Sequence, residues 1–244
     1  MLAAQTKAET LRIVRSPFFL LFSIAMPMVF YFLFSAINGV QTEIASTTWG
    51  AYLLMSMTAF SLVGTSVGQF GIRLAYERRD GWMALLRLTP LPPTVWLGGK
   101  LGAHMAVHLL IIALLFPTAG LVYGIDLTAG QWIACGLWLW IGSLPFLAIG
   151  SLMGSLKNAD AATAIANMVH MGLAILGGLW MPLQAMPDWI QRIGVWTPTH
   201  RYAHGAWNIL AGKAPDMIDI GILSACFLLF MVLSGYLMNR REAI

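Results

Sequence analysis

The sequence predicts an all-α polytopic membrane protein, and three observations carry that prediction: composition, the lengths of the apolar runs and the placement of cations. Of 244 residues, 59% are hydrophobic and 10% charged, against about 25% charged in an ordinary soluble domain. A soluble fold would lack the polar groups to cover its surface. A spanning helix needs about 20 mostly apolar residues, because each adds about 1.5 Å across a hydrocarbon core of about 30 Å. Six stretches meet that test, at 18–40, 49–72, 101–123, 131–155, 161–181 and 218–238. The formal charge of +4 is not gathered into a patch that would track a nucleic acid, because the cations lie between apolar runs. Cys135 and Cys226 fall inside those runs and read as buried small hydrophobes. No repeat, low-complexity tract or soluble domain interrupts the chain, which reads as one transmembrane domain over 1–244.

Before the first span, residues 2–15 read as a short interfacial helix, with Leu11 and Val14 inward and Lys7, Arg12 and Arg15 towards lipid headgroups. Pro17 marks the turn into the membrane, since a proline at a first helical turn removes an N–H that would be unpaired anyway. The apolar run after it exceeds the 7–15 residues of a signal-peptide core, and no small-x-small site comes next. Orientation comes from Lys and Arg near the span ends. With the N-terminus inside, the inner segments hold Lys7, Arg12, Arg15, Arg73, Arg78, Arg79, Arg87, Lys100, Lys157, Arg240 and Arg241. The outer ones hold only Arg192, Arg201 and Lys213. Both termini are therefore expected in the cytoplasm and the chain in a plasma membrane, the inner membrane of a bacterium.

Two connections are too elaborate to be links alone. The inner one, about 73–95, has helical character from Glu77 to Thr89, with Trp82, Leu85, Leu86 and Thr89 on one stripe. Gly81 interrupts it, Pro90 ends it, and Pro92 and Pro93 enforce an extended return. It reads either as a connector lying at the headgroups or as a knob that docks into a groove of a partner. The outer connection, about 182–217, places Trp189, Ile190, Ile193 and Trp196 on one face, with Asp188 and Arg192 four apart and able to pair. Tryptophan favours the membrane–water boundary, so a short surface helix is expected there, in an external helical loop of re-entrant or surface helices. Gly177 and Gly178 permit a break in the fifth helix, and Pro182 and Pro187 punctuate the segment after it. That region reads as a lid or as an exit gate built on Gly177, Gly178, Pro182 and Trp189.

Glu77-Arg78-Arg79-Asp80-Gly81-Trp82, then Leu85-Leu86 and Thr89-Pro90, resembles the coupling-helix segment of type-2 ATP-binding-cassette (ABC) exporter permeases, with its acidic–basic pair, glycine, leucine pair and Thr-Pro. Gly177-Gly178 through Trp180-Met181-Pro182-Leu183 and Met186-Pro187-Asp188-Trp189-Ile190 is similar to the family's broken fifth span and external helices. Arg15-Ser16-Pro17 resembles its approach to the first span. These matches run nearly the length of the chain in the family's order. The resemblance implies a six-span permease that works as a dimer, with a second copy or a similar permease, surrounded by membrane lipid. It implies separately encoded ATP-binding subunits that hold ATP and Mg and meet the segment from Glu77 to Pro90. No cofactor is expected in this chain. Its nearest phosphate-loop candidate, Gly205 to Gly212-Lys213, has Trp207 where a glycine is required and Ala214 where Ser or Thr is required.

His104 and His108, and His200 and His204, are spaced four apart, but neither pair carries the Glu of a metalloprotease helix. No metal site is expected, and the outer pair would need ligands that the sequence does not identify. His104, His108 and His170 lie within spans, where polar groups face protein or water. Asn167 and His170 are candidates for lining a pathway or for helix–helix contacts, and Met26 and Met55 for lining the same pathway, since flexible thioethers suit a promiscuous apolar route or simply fill gaps. Gly64, Gly68 and Gly71 allow close helix approach. A membrane-embedded enzyme would need a convergent acid, base or metal set, and Ser143 alone does not supply one. A proton- or sodium-coupled carrier would need intramembrane carboxylates, which the spans almost entirely lack. The expected function is ATP-driven export of an amphipathic or hydrophobic substrate such as a drug, antimicrobial compound or lipid. The alternatives are a permease-like scaffold or sensor, or export of polysaccharide or haem.

Overall fold

The computed structural model describes residues 1–44, 47–89, 91–156 and 158–242. Helix α1 (Leu2–Val14) precedes α2 (Pro17–Asn38), and a two-residue antiparallel ladder of β1 (Glu43–Ile44) with β2 (Thr47–Thr48) leads into α3 (Trp49–Val63). A π-helical stretch, Gly64–Phe70, joins α3 to α4 (Gly71–Arg79), and α5 (Trp82–Arg87) comes after a turn. Then come α6 (Pro93–Tyr123), α7 (Ala129–Gly142), α8 (Leu144–Gly154), α9 (Ala159–Leu176), α10 (Asp188–Gly194), α11 (Pro198–Leu210) and α12 (Met217–Glu242). Local signals explain the boundaries. Thr48, Asn158 and Thr197 accept hydrogen bonds from the first-turn amides of α3, α9 and α11, and Thr128 with Gln131 forms a capping box on α7. Prolines open α2, α6 and α11. Pro145, which has no N–H, lies just after the break at Ser143 that divides one span into α7 and α8.

Among the described residues, six helices are long and apolar enough to cross a membrane, in the all-α arrangement expected. They are not equivalent. In the most apolar stretch of each, 94% of residues are buried in Trp49–Arg79, against 22% in α2 and α9 and 17% in α12. The α3–α4 span is therefore the central post, and α2, α9 and α12 expose apolar stripes such as Phe22, Met26, Val29 and Leu33. Such stripes belong in hydrocarbon, where no water is ordered around them. The post is fixed at mid-height by a buried polar link. His108 Nε2 lies 3.1 Å from Thr65 Oγ1 in the π-helical stretch, and its Nδ1 lies 2.8 Å from Ser143 Oγ at the α7–α8 break.

Three sequence expectations change. The second span continues to Arg79 and the third begins at Pro93, beyond the 49–72 and 101–123 read from hydropathy, because charges there pair with one another. The fifth helix stops at Leu176, not 181. Gly178 adopts φ +72°, and the amides of Gly178 and Leu179 bond back to Ile175 and Ala174, closing a Schellman cap. Helix α1 is present, but Leu11 and Val14 are exposed, while Glu9 and Ile13 face inward. Gln5 and Thr6 lie against Gly99 and Gly102 of α6, and Glu9 is held by a buried lysine, Lys100.

Candidate functional site

The two ends of the bundle carry the candidate residues. At the end bearing α1 and the α4–α6 connection, here the basic end, five charges from three elements converge. Lys100 Nζ lies 2.9 Å from Glu9 Oε1 and 2.8 Å from Glu77 Oε2. Arg73 reaches Glu9 at 3.2 Å and Glu77 at 3.3 Å, and Arg12 reaches Glu77 at 3.0 Å. The side chains of Lys100, Glu9 and Glu77 are 4%, 8% and 8% exposed. Three cations thus share two enclosed carboxylates, which must be paired to be tolerated; Lys100 is enclosed with them, while Arg73 and Arg12 are 26% and 54% exposed. Glu77 is therefore part of a latch joining α1, α4 and α6, and does not project from the connection. Lys100, counted in the sequence among the cations of the inner segments, is enclosed in the same latch beside the Trp96 ring at 5.3 Å. Glu9, Arg73 and Lys100 are not legible as a set in the sequence; only Arg73 and Glu77, four apart on one helix, carry a local signal.

Beyond the latch the chain turns. Arg78 donates to the Gly154 carbonyl at 3.2 Å, fastening α4 to α8. Arg79 pairs with Asp80 at 3.1 Å in the open. Gly81 takes φ +76°, ψ 11°, a conformation that costs an L-residue about 1–2 kcal/mol. It starts α5 at an angle to α4. Leu86 then turns inward beside Phe70, Leu74 and Trp96, while Trp82, Leu85 and Leu88 are 43%, 56% and 84% exposed. The single stripe expected through Trp82, Leu85, Leu86 and Thr89 is thus split. Leu86 anchors, and Trp82 and Leu85 are joined by Leu88 and the exposed Thr89 on the outer side of the knob. Pro90 lies outside the described residues.

The opposite, aromatic end is built on different chemistry. Helix α10 occupies the place expected for a surface helix, with Trp189, Ile193 and Trp196 exposed, although Asp188 and Arg192 form no ion pair among the described residues. Helix α11 lies within the outer connection, about 182–217, where re-entrant or surface helices are expected. Its Thr199 hydroxyl donates to Leu173 O at 2.7 Å, Tyr202 donates to Leu139 O, Trp138 Nε1 donates to Tyr202 O at 2.7 Å, and Gln131 donates to Leu210 O at 3.0 Å. Leu139 lies about 15 Å along α7 from Ala129. So α11 rises from mid-bundle to the rim and is re-entrant. Tyr202 is fully buried against Gly142, where an added Cβ would come within 2.8 Å of its ring.

Between α11 and the turn after Pro182 opens a cavity of about 790 Å³, lined by Tyr52, Pro182, Gln184, His200, His204, Trp207, Asn208 and Lys213 among others. Tyr52 and Trp207 stack at 4.4 Å on one wall. His200 Nδ1 bonds Gly177 O at 3.2 Å, at the break of the fifth span, and burial pushes this imidazole down to about 4. His204 Nδ1 lies 2.8 Å from Asp219, which also pairs with Arg201 at 3.3 Å. Pro182 thus lines the cavity, Gly177 meets it only through its bond to His200, Gly178 is not in its lining, and Trp189 faces outward from α10.

The pathway candidates do not form one lining. Met26 and Asn167 are exposed on α2 and α9. Met55 is enclosed in the core of the protomer, and His170 stacks on Phe60 at 4.6 Å with its Nε2 on the Phe60 carbonyl. Met168 and Met171, on the outward side of α9, join Asn167 in its place.

The sequence pattern of the ABC-2 family transporter protein matches residues 42–236, from the short ladder to the last helix. A putative transport permease of Bacillus subtilis (strain 168), YvfS, is 40% identical over 245 residues, covering 100% of this chain and 99% of its own length. Fold, latch and re-entrant cap fall within or beside the matched region, and the chain belongs to the ABC-2 transporter family, whose permeases work with an ATP-binding subunit.

Proposed function

We propose that this chain is the permease subunit of an ATP-driven exporter, that its basic end faces the cytoplasm, and that the knob from Asp80 to Thr89 receives the ATP-binding subunit. The observation that carries this reading is the exposed Trp82–Leu85–Leu88 surface, which no other part of the chain covers among the described residues. It is mounted on the buried latch at the foot of the central post. A surface of this kind fits a hydrophobic groove, and a rigid mount passes its displacement into the post. Cations concentrated at that end support a cytoplasmic orientation. Movement of the knob would tilt α4 and the post against α2 and α9. Their exposed apolar faces, with Met26, Asn167 and Met168, would line a route shared with a second copy or a similar permease. An apolar, methionine-bearing route suits an amphipathic or hydrophobic substrate.

The test uses the permease reconstituted with its ATP-binding subunit. Trp82→Asp and Gly81→Pro should abolish the coupling of ATP hydrolysis to substrate efflux while leaving the thermal midpoint of the permease nearly unchanged for Trp82→Asp. Substrate-stimulated hydrolysis and efflux at the unsubstituted rates in both variants would overturn the reading.

A further inference from the structure

We propose that His200 and His204 form a binding site for one divalent transition-metal ion, of the Cu²⁺ or Zn²⁺ class, in the cavity at the aromatic end. Each histidine commits one ring nitrogen to the protein and keeps the other for a ligand. His200 Nδ1 faces the Gly177 carbonyl at 3.2 Å. A carbonyl only accepts, so Nδ1 carries the proton and Nε2 keeps its lone pair. His204 Nδ1 faces the Asp219 carboxylate at 2.8 Å, a stronger contact than the 3.4 Å to the Asn208 amide, and the same tautomer results. Among the described residues neither Nε2 has a hydrogen-bond partner. An imidazole whose second nitrogen donates to a carboxylate or a backbone carbonyl is the arrangement that orients metal-binding histidines and strengthens them as donors.

The rings also stand together. They are one turn apart on α11, with centroids 5.7 Å apart and planes inclined by 24°. Both line the cavity of about 790 Å³, as do the Gln184 and Asn208 side chains. Other histidine pairs lack this arrangement. His108 has both nitrogens engaged by hydroxyls, and His104 is fully packed against Phe70 in the span. A rival set, His204 with Asp216 and Asp219, brings three ligating atoms within 4.8 Å. It would require His204 to give up its Nδ1 proton, and Arg201 already occupies Asp219 at 3.3 Å.

The test uses the full chain in detergent, with any affinity tag removed, titrated with Zn²⁺ against a chromophoric chelator. One ion per chain is expected. His200→Ala or His204→Ala should weaken binding by more than about tenfold, a loss at least as large as that from removing a group that only supports a ligand, while Asp216→Asn leaves it unchanged. Cu²⁺ bound to the unsubstituted chain should give an electron paramagnetic resonance spectrum with hyperfine structure from two imidazole nitrogens, which needs no variant to fold. Equal affinity in the doubly substituted chain, loss of binding in Asp216→Asn, or an all-oxygen Cu²⁺ spectrum would each overturn the proposal. None of these readouts involves ATP or transport, so the result stands apart from the coupling reading.

Discussion

The two ends of the bundle are fastened by different mixtures of charge and neutral contact. At the basic end, α1, α4 and α6 meet through five charges. At the aromatic end, α11 is seated on α7 and α9 by hydroxyl and indole hydrogen bonds to backbone carbonyls and by rings against small residues, and the enclosed Asp219, held by Arg201 and His204, ties it to α12. Ion pairs out of water are all-or-none: intact they are rigid, and broken they leave a charge that nothing solvates. Neutral bonds to carbonyls fail one at a time, each worth about 0.5–1.5 kcal/mol. On the proposed coupling, the latch would carry the displacement of the knob as one unit, while the neutral contacts that seat α11 on α7 and α9 would yield one by one.

The largest effect should come from breaking the latch. Lys100→Met leaves Glu9 and Glu77 with only the arginines, and should lower stability by about 3–5 kcal/mol, read as the unfolding midpoint in mild detergent. Glu77→Gln combined with Lys100→Met should cost less than the sum of the two single changes, because the pair is removed together. Additive losses would show that the five charges do not act as one unit. At the other end, Tyr202→Ala empties a fully enclosed site beside Gly142 and should cost about 3–5 kcal/mol, whereas Tyr202→Phe should cost only about 0.5–1.5 kcal/mol. If the phenylalanine variant is as damaging as the alanine one, the seat is held by the hydroxyl and not by the ring.

How much of this is legible in the sequence depends on separation along the chain. Spans announce themselves through length and hydropathy, and the break after Leu176 through adjacent glycines that a Schellman cap requires. The knob is legible in outline, because Gly81 and the leucine pair lie within a few residues of one another. Leu86 turns inward for a reason no local pattern carries: Trp96 and Leu147 approach from distant elements. The latch is invisible because Glu9, Glu77 and Lys100 meet only when three helices pack. The seat of α11 is hidden for a related reason. Its Thr199, Tyr202 and His200 side chains meet the carbonyls of Leu173, Leu139 and Gly177 only when the outer connection folds back into the bundle.

Smaller effects sharpen the contrast. Gly81→Ala meets no neighbouring atom, so its cost should be that of the backbone alone, about 1–2 kcal/mol, with a larger loss in coupling because the knob is re-aimed. Equal losses of stability and coupling would mean that Gly81 serves folding only. Smallest of all, Arg79→Ala removes an exposed pair and should leave the thermal midpoint and its salt dependence unchanged. A marked destabilisation there would contradict the distinction between the enclosed latch and the open pair beside it.

The knob as the seat of the ATP-binding subunit is the central claim, and cross-linking tests it most directly. In a chain with Cys135 and Cys226 replaced by serine, a single cysteine would be placed at Leu85, Leu88 or, at the opposite end, Trp189. Each variant would then be treated in native membranes with a short bifunctional maleimide reagent. A permease–ATP-binding-subunit adduct is expected for Leu85→Cys and Leu88→Cys and none for Trp189→Cys. An adduct at Trp189, or none at Leu85 and Leu88 in an assembled and active complex, would contradict the claim.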